Sequence, residues 1–144
     1  MSYTQLYYHI VFTPRNRAPA IDLQQENRLH AYIRGFIRNK KGVMYAIGGM
    51  PDHIHLLVQL LPMVSVSDFV HDLKLATHQF MIQHRDAFPL FAGWERSFGA
   101  FSCSYKEREK VSNYIRHQKE HHLSVSTQDE FRIMICADGL AYNE

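Results

Sequence analysis

The stretch Val43-Met44-Tyr45-Ala46-Ile47-Gly48-Gly49-Met50-Pro51-Asp52-His53-Ile54-His55-Leu56-Leu57-Val58-Gln59-Leu60 organises the reading of the whole chain. Its two ends, Val43 to Gly48 and His53 to Leu60, are runs of residues that suit a pleated sheet, and between them lie the turn formers Gly48, Gly49, Pro51 and Asp52. This pattern is a β-hairpin. Upstream, Asp22 is placed to cap a helix with Gln25 three positions on, and Leu29, Ile33, Phe36 and Ile37 recur at helical spacing until Gly42 ends the pattern. Earlier still, Tyr3 to Thr13 is rich in Tyr, Ile, Val and Phe and reads as a strand that Pro14 stops. Downstream, Ser65 or Ser67 caps a second helix, whose stripe of Phe69, Leu73, Ala76 and Phe80 ends before Pro89. A loop holding Pro89, Gly93 and Trp94 then leads to a short strand, Phe98 to Cys103, weakened by Gly99.

The order strand, helix, strand, strand, helix, strand predicts an α+β, ferredoxin-like (RRM-like) βαββαβ fold, a four-stranded antiparallel sheet with two helices on one face. Ser104 and Glu107 form a capping box that opens a third helix through about His122, and Thr127 with Glu130 repeats the device in a short C-terminal helix. The third helix is surplus to the fold and has room to lie on the open face of the sheet.

The 144 residues carry 16 Lys+Arg against 14 Asp+Glu, a net charge of +2 with the 10 His neutral, and 46% of them are hydrophobic. This is globular composition, and the length predicts one domain spanning residues 1–144. A barrel of eight strand-helix units needs roughly 250 residues, which excludes the histidine-rich hydrolases and deaminases built on that scaffold. No run approaches the roughly 20 apolar residues of a membrane span. The opening Met-Ser-Tyr-Thr-Gln has neither the basic nor the apolar region of a signal peptide, so the expectation is a cytoplasmic protein with no membrane partner. Cys103 and Cys136 are too few for a disulfide framework and lack metal-finger spacing; both read as reduced structural thiols. A net charge this small does not identify a nucleic-acid partner, and that assignment has to rest on a site.

The chemistry is concentrated in Asp52-His53-Ile54-His55. Residues two apart on a strand share a face, so His53 and His55 present two imidazoles side by side, a pair able to share one metal ion. An isolated pair of this kind more often lines a solvated strand face, and something else must converge on it. Tyr114 and Gln118 lie four apart on the third helix, hence on one face. A tyrosine oxygen can attack phosphorus, although its ordinary pKa near 10 calls for a metal or base beside it. Spacing alone equally fits a tyrosine packed at the edge of the core. His121 and His122 fall three and four residues beyond Gln118 and compete with it for the same face. Asp52 reads as a turn residue in preference to a metal ligand, and His71, His78 and His84 as a polar helix face.

These motifs together resemble the single-strand tyrosine transposases of the smallest bacterial insertion sequences. His53-Ile54-His55 is similar to their HUH motif (histidine, bulky apolar residue, histidine), and Tyr114-Ile115-Arg116-His117-Gln118 to their tyrosine motif. Tyr8-His9-Ile10-Val11-Phe12, the stretch Trp94 to Ser102 and the run Gln118 to His122 match in collinear order, closest to the branch associated with repeated extragenic palindromic (REP) elements. The resemblance implies a single-stranded DNA endonuclease and strand transferase acting on hairpin-forming ends. It implies that His53, His55 and Gln118 hold a divalent metal, Mg²⁺ or Mn²⁺, and that Tyr114 forms a 5′-phosphotyrosyl intermediate. It further implies a homodimer in which the tyrosine helix can act in trans, and association with the nucleoid when bound to DNA. Imidazole ligands by themselves favour zinc or later transition metals, so Mg²⁺ or Mn²⁺ follows from the resemblance and not from ligand type.

Contacts to DNA are less legible. Arg15, Arg17, Lys40 and Lys41 are candidate phosphate partners that read equally as ordinary surface charge. Trp94, Phe98, Phe101 and Tyr105 are able to stack unpaired bases, but core packing is the better reading. The alternative function is a non-cleaving, transposase-derived protein that binds DNA or RNA hairpins, since this sheet also serves RNA recognition. A small metal enzyme with a double-sheet barrel, ligating through His53, His55 and Gln59, would need about eight strands, and the helical stripes leave no room for them.

Overall fold

Strands Tyr7–Phe12 (β1), Val43–Met50 (β2), His53–Gln59 (β3) and Gly99–Cys103 (β4) form one antiparallel sheet in the order β2-β3-β1-β4. Helices Glu26–Asn39 (α1) and Val66–Gln83 (α2) are followed, after β4, by Arg108–Arg116 (α3), Gln118–His121 (α4) and Thr127–Ala137 (α5). The structure, a computed structural model, describes residues 3–137, with side chains to residue 134. The predicted ferredoxin-like arrangement is present, with β1 and β3 at its centre, and among the described residues no helix is long and apolar enough to cross a membrane.

Alternation along the two central strands sends residues to opposite faces. Ile10 and Phe12 of β1 and Ile54, Leu56 and Val58 of β3 point to one side, where Leu29, Ile33 and Ile37 of α1 and Phe69 and Leu73 of α2 close over them in the larger apolar core. Each such side chain contributes about 1.5–3 kcal/mol relative to an exposed one. Trp94 belongs to this core, its indole N–H donating to Thr77 Oγ1 at 3.0 Å, so it is a packing residue and not a stacking platform for bases. The other face is covered too. Leu57, Tyr7, Ala46 and Cys103 pack with Ile115 of α3, which lies on the sheet where the surplus helix was expected.

Several boundaries differ from the sequence reading. β1 starts at Tyr7 and not Tyr3, because the neighbouring strands end opposite Tyr7, at Gln59 and Cys103. Gly48 and Gly49 belong to strand β2, paired with His55 and Ile54, and leave Pro51 and Asp52 as the turn. Their lack of a side chain serves close approach: a Cβ on Gly48 would stand 2.1 Å from the Ile115 carbonyl oxygen, and one on Gly49 2.2 Å from that of His53. Asp22 does not cap α1; its carboxylate holds a preceding turn by accepting from the Gln24 N–H at 2.8 Å. Ser65, rather than Ser67, caps α2 through the Asp68 N–H at 3.0 Å, and its buried stripe runs through Thr77 and Met81 where Ala76 and Phe80 were expected. Ser104 and Glu107 bond to each other, the Glu107 N–H donating to Ser104 Oγ at 3.2 Å and the Ser104 hydroxyl to Glu107 Oε1 at 3.0 Å, but they close the turn before α3 and do not cap it, since Glu107 is itself the N-cap position. The third helix does not continue to His122 but breaks at His117. Thr127 and Glu130 do not form a second box: Ser126 Oγ accepts from the Asp129 N–H at 3.1 Å, and Glu130 turns inward. Cys103 is buried, and the side chain of Cys136 lies outside the described residues.

Candidate metal and tyrosine site

The hairpin turn at Pro51–Asp52 starts β3 with His53, and strand alternation then sets His53 and His55 on the face that α3, α4 and α5 cover. Both side chains are fully buried. Each is oriented through its Nδ1 atom. His53 Nδ1 lies 2.8 Å from Asp52 Oδ1, and His55 Nδ1 lies 2.8 Å from Nε2 of His9, which approaches from β1. With Nδ1 engaged, the Nε2 atom of each ring faces the interior of the cluster.

The break at His117 rotates Gln118 into that interior, where its Oε1 is 2.9 Å from His53 Nε2. Lys119 anchors the break by donating to the Gly49 carbonyl and pairing with Glu26 at 3.1 Å. His122, one turn on, places Nε2 3.1 Å from Gln118 Oε1. From α5 comes Glu130, 2% exposed, with Oε1 3.3 Å from both His53 Nε2 and His55 Nε2 and 3.0 Å from His122 Nε2. Its Oε2 accepts from Gln118 Nε2 at 2.9 Å and from the Tyr114 hydroxyl. The Tyr114 ring stands edge-on to His55, centroids 5.7 Å apart, and also meets His9 and His121. The structure thus brings together His53, His55, Tyr114 and Gln118 of one chain.

The electrostatics follow from burial and from these partners. Burial pushes the His53 imidazole down, but its bonds to Asp52, Glu130 and Gln118 outweigh that and hold its pKa up at about 9. His55 is pushed down by burial, and His9 is lowered to about 3 by burial and the adjacent His55. Glu130, although burial opposes its charge, is held far below the carboxylate range by the imidazoles of His53 and His55. Tyr114 is raised above the ordinary phenol value, by burial first and then by its bond to Glu130. The donor set suits a divalent cation: imidazole nitrogens with their second nitrogen fixed, an amide oxygen and a carboxylate lie 2.9–3.3 Å apart. Two donors on one ion, at bonds of about 2.1 Å and angles of roughly 90–109°, stand about 3.0–3.4 Å apart.

A model of the family described as "Transposase IS200 like" matches residues 2–118, a span holding both histidines, the tyrosine and Gln118. The chain belongs to the IS200-like transposases. The ISDra2 transposase TnpA of Deinococcus radiodurans is 28% identical over 125 residues, covering 81% of this chain and 87% of that protein. The transposase for insertion sequence element IS200 of Salmonella typhimurium is 26% identical over 129 residues, covering 78% and 76%. A REP-associated tyrosine transposase, solved bound to a REP hairpin, shares the fold at a TM-score of 0.63 and 18% identity, over 87% of this chain and 76% of that one. DNA transposition, with the cutting and rejoining it entails, is therefore the activity of this IS200-like transposase family.

Four residues of the site escaped the sequence reading of roles. His9 was visible only within a strand and the matching stretch Tyr8 to Phe12, Asp52 only as a turn residue, Glu130 only as a helix-capping residue, and His122 only as a rival to Gln118. The signal for His9 was its alternation with Ile10 opposite the HUH strand; nothing local marked Glu130. Among the DNA-contact candidates, Lys40 pairs with Asp72 at 3.1 Å and Arg17 lies over the Phe131 ring at 5.1 Å. Phe98 and Tyr105 are exposed, by 37% and 50%, contrary to the core reading. Phe98 and Phe101 line a cavity of about 630 Å³ beside the site, with Asn16, Glu95 and Phe131.

Proposed function

We propose that this chain is a metal-dependent single-stranded DNA endonuclease and strand transferase with Tyr114 as its nucleophile. The observation that carries the reading is the meeting of the Tyr114 hydroxyl, through Glu130, with the buried donor set of His53, His55 and Gln118. His53, His55 and Gln118 would hold a divalent ion, Mg²⁺ or Mn²⁺, which would supply Lewis-acid polarisation of the scissile phosphate. Asp52 and His9 hold the two imidazoles in the orientation that presents Nε2. Tyr114 oxygen bonds to phosphorus as the bond to the 3′ oxygen breaks; the phenol gives up one proton to the medium and the leaving oxygen takes one up, departing as a 3′-hydroxyl, so that protons balance over the step. The DNA is left as a 5′-phosphotyrosyl adduct. Attack by the 3′-hydroxyl of another strand reverses the step, and the conserved phosphoester energy removes any need for a nucleotide triphosphate.

Single-stranded DNA with hairpin-forming ends is the substrate class, in keeping with family membership and with the REP hairpin held by the structural relative. A homodimer, the form that the family resemblance implies, would supply the two tyrosines that joining two cut ends calls for. Placement of Tyr114 against its own chain's histidines favours cutting in cis over the trans arrangement. The test is incubation with Mn²⁺ and single-stranded hairpin DNAs, followed by a search for a denaturant-resistant adduct. Wild type forms an adduct mapped to Tyr114 by mass spectrometry, and a chelator abolishes it. Tyr114→Phe binds the hairpin but forms none; normal cleavage by that variant would remove Tyr114 from its role, and binding without cleavage by wild type would make the hairpin-binding alternative the better reading.

A further inference from the structure

We propose that Glu130 of α5 is itself a ligand of the metal, so that the ion is enclosed by the C-terminal helix and not only by the strand and the tyrosine helix. The inference rests on the reading of His53, His55 and Gln118 as metal ligands. It goes beyond that reading because Glu130 lies past residue 118, where the match to the family model ends.

Three observations carry it. First, a single carboxylate oxygen, Glu130 Oε1, stands 3.3 Å from His53 Nε2, 3.3 Å from His55 Nε2 and 3.0 Å from His122 Nε2. Those separations are the ones expected between neighbouring donors on one ion, about 3.0–3.4 Å. Second, His53, His55 and Glu130 are all buried and offer one ligand atom each within 4.8 Å of one another. Third, among the described residues no other acid offers an oxygen to the Nε2 side of the cluster, since Asp52 spends its Oδ1 atom on His53 Nδ1 and on the Thr127 hydroxyl at 3.1 Å. Without Glu130 the set would be the imidazoles of His53, His55 and His122 with the Gln118 amide, a neutral group whose softness suits zinc. A carboxylate adds negative charge and a hard oxygen, which moves the preference towards Mn²⁺ and Mg²⁺.

The opposite arrangement is that Glu130 only neutralises the imidazoles and is expelled when the ion enters. Titration calorimetry with Mn²⁺ on the full chain separates the two. Glu130→Gln, nearly isosteric, weakens Mn²⁺ at least tenfold and Zn²⁺ by less, while circular dichroism shows the fold retained. His53→Ala abolishes Mn²⁺ binding; were it to bind Mn²⁺ as wild type does, the underlying metal site would be wrong and the inference would fall with it. Unchanged or tighter Mn²⁺ binding by Glu130→Gln, with His53→Ala inactive in binding, would overturn the role of Glu130 alone. A measurement on wild type needs no variant: Mn²⁺ slows hydrogen exchange of the amides at 127–134 if Glu130 ligates, and quickens it if the ion displaces the helix.

Discussion

The two faces of the sheet use the same strands for opposite ends. On β3, Ile54, Leu56 and Val58 enter an apolar core under α1 and α2, whereas His53 and His55, the intervening residues, enter a polar cluster under α3, α4 and α5. Both faces are buried, so burial by itself does not distinguish a site from a core. What differs is how the buried groups are satisfied. The first face gains from removing carbon from water; in the second each polar atom must find a partner, and among the described residues every buried side-chain nitrogen and oxygen has one. The polar face carries a cost in burial free energy that the apolar face does not.

That contrast can be broken in three ways. The largest effect belongs to the pair Leu56→Ala and His53→Ala. Leu56→Ala, in the dry core, lowers stability by about 2–5 kcal/mol yet keeps the upward shift in melting temperature expected on adding Mn²⁺ to wild type; His53→Ala loses that shift. Thermal melts with and without Mn²⁺ check both, and a retained shift in His53→Ala would dissolve the division of labour between the faces.

Next comes Gly48→Ala. Its Cβ would meet backbone, the Ile115 carbonyl oxygen at 2.1 Å, which cannot swing aside as a side chain can. The helix bearing Tyr114 must lift from the sheet. Adduct formation falls at least tenfold, with a stability loss of about 1–3 kcal/mol, read from cleavage assays alongside denaturant unfolding.

The smallest effect sharpens the comparison through pH. Burial lowers the His53 pKa, but its hydrogen bonds to Asp52, Glu130 and Gln118 win and hold it at about 9. An ion must displace that proton. Mn²⁺ affinity therefore rises with pH, by about tenfold per unit for one displaced proton, and levels off above about 9, the folded-state value. Calorimetry across this range checks it. In the metal-free protein the sign is reversed for stability: a histidine raised from 6.5 to about 9 stabilises the fold fully below 6.5, and that contribution is lost as pH rises through 9.

Legibility in the sequence followed the range of the interactions. The strand alternation that pairs His53 with His55, and the helical spacing that pairs Tyr114 with Gln118, are local and were readable. The break at His117 was not, because α3 and α4 separate only where Lys119 reaches the Gly49 carbonyl and Glu26, far away in sequence. Gly48 and Gly49 misled for a related reason. Their composition signals a turn, but the space they leave is filled by Ile115 and by the backbone of His53. Glu130 was mistaken for a capping residue because its spacing from Thr127 satisfies the local rule, while the long-range pull of three imidazoles decided its direction.

By itself the sequence determined the order of the elements, the two-sided character of the HUH strand and the candidate nucleophile, since each depends on periodicities of two or 3.6 residues. Only the tertiary structure decided that α3 lies over its own chain's histidines, that His9 and Asp52 fix their rings, and that a carboxylate 75 residues beyond His55 completes the cluster. Convergence of side chains from β1, β3, α3, α4 and α5 on one point is set by packing across the fold, and no local pattern in the chain encodes it.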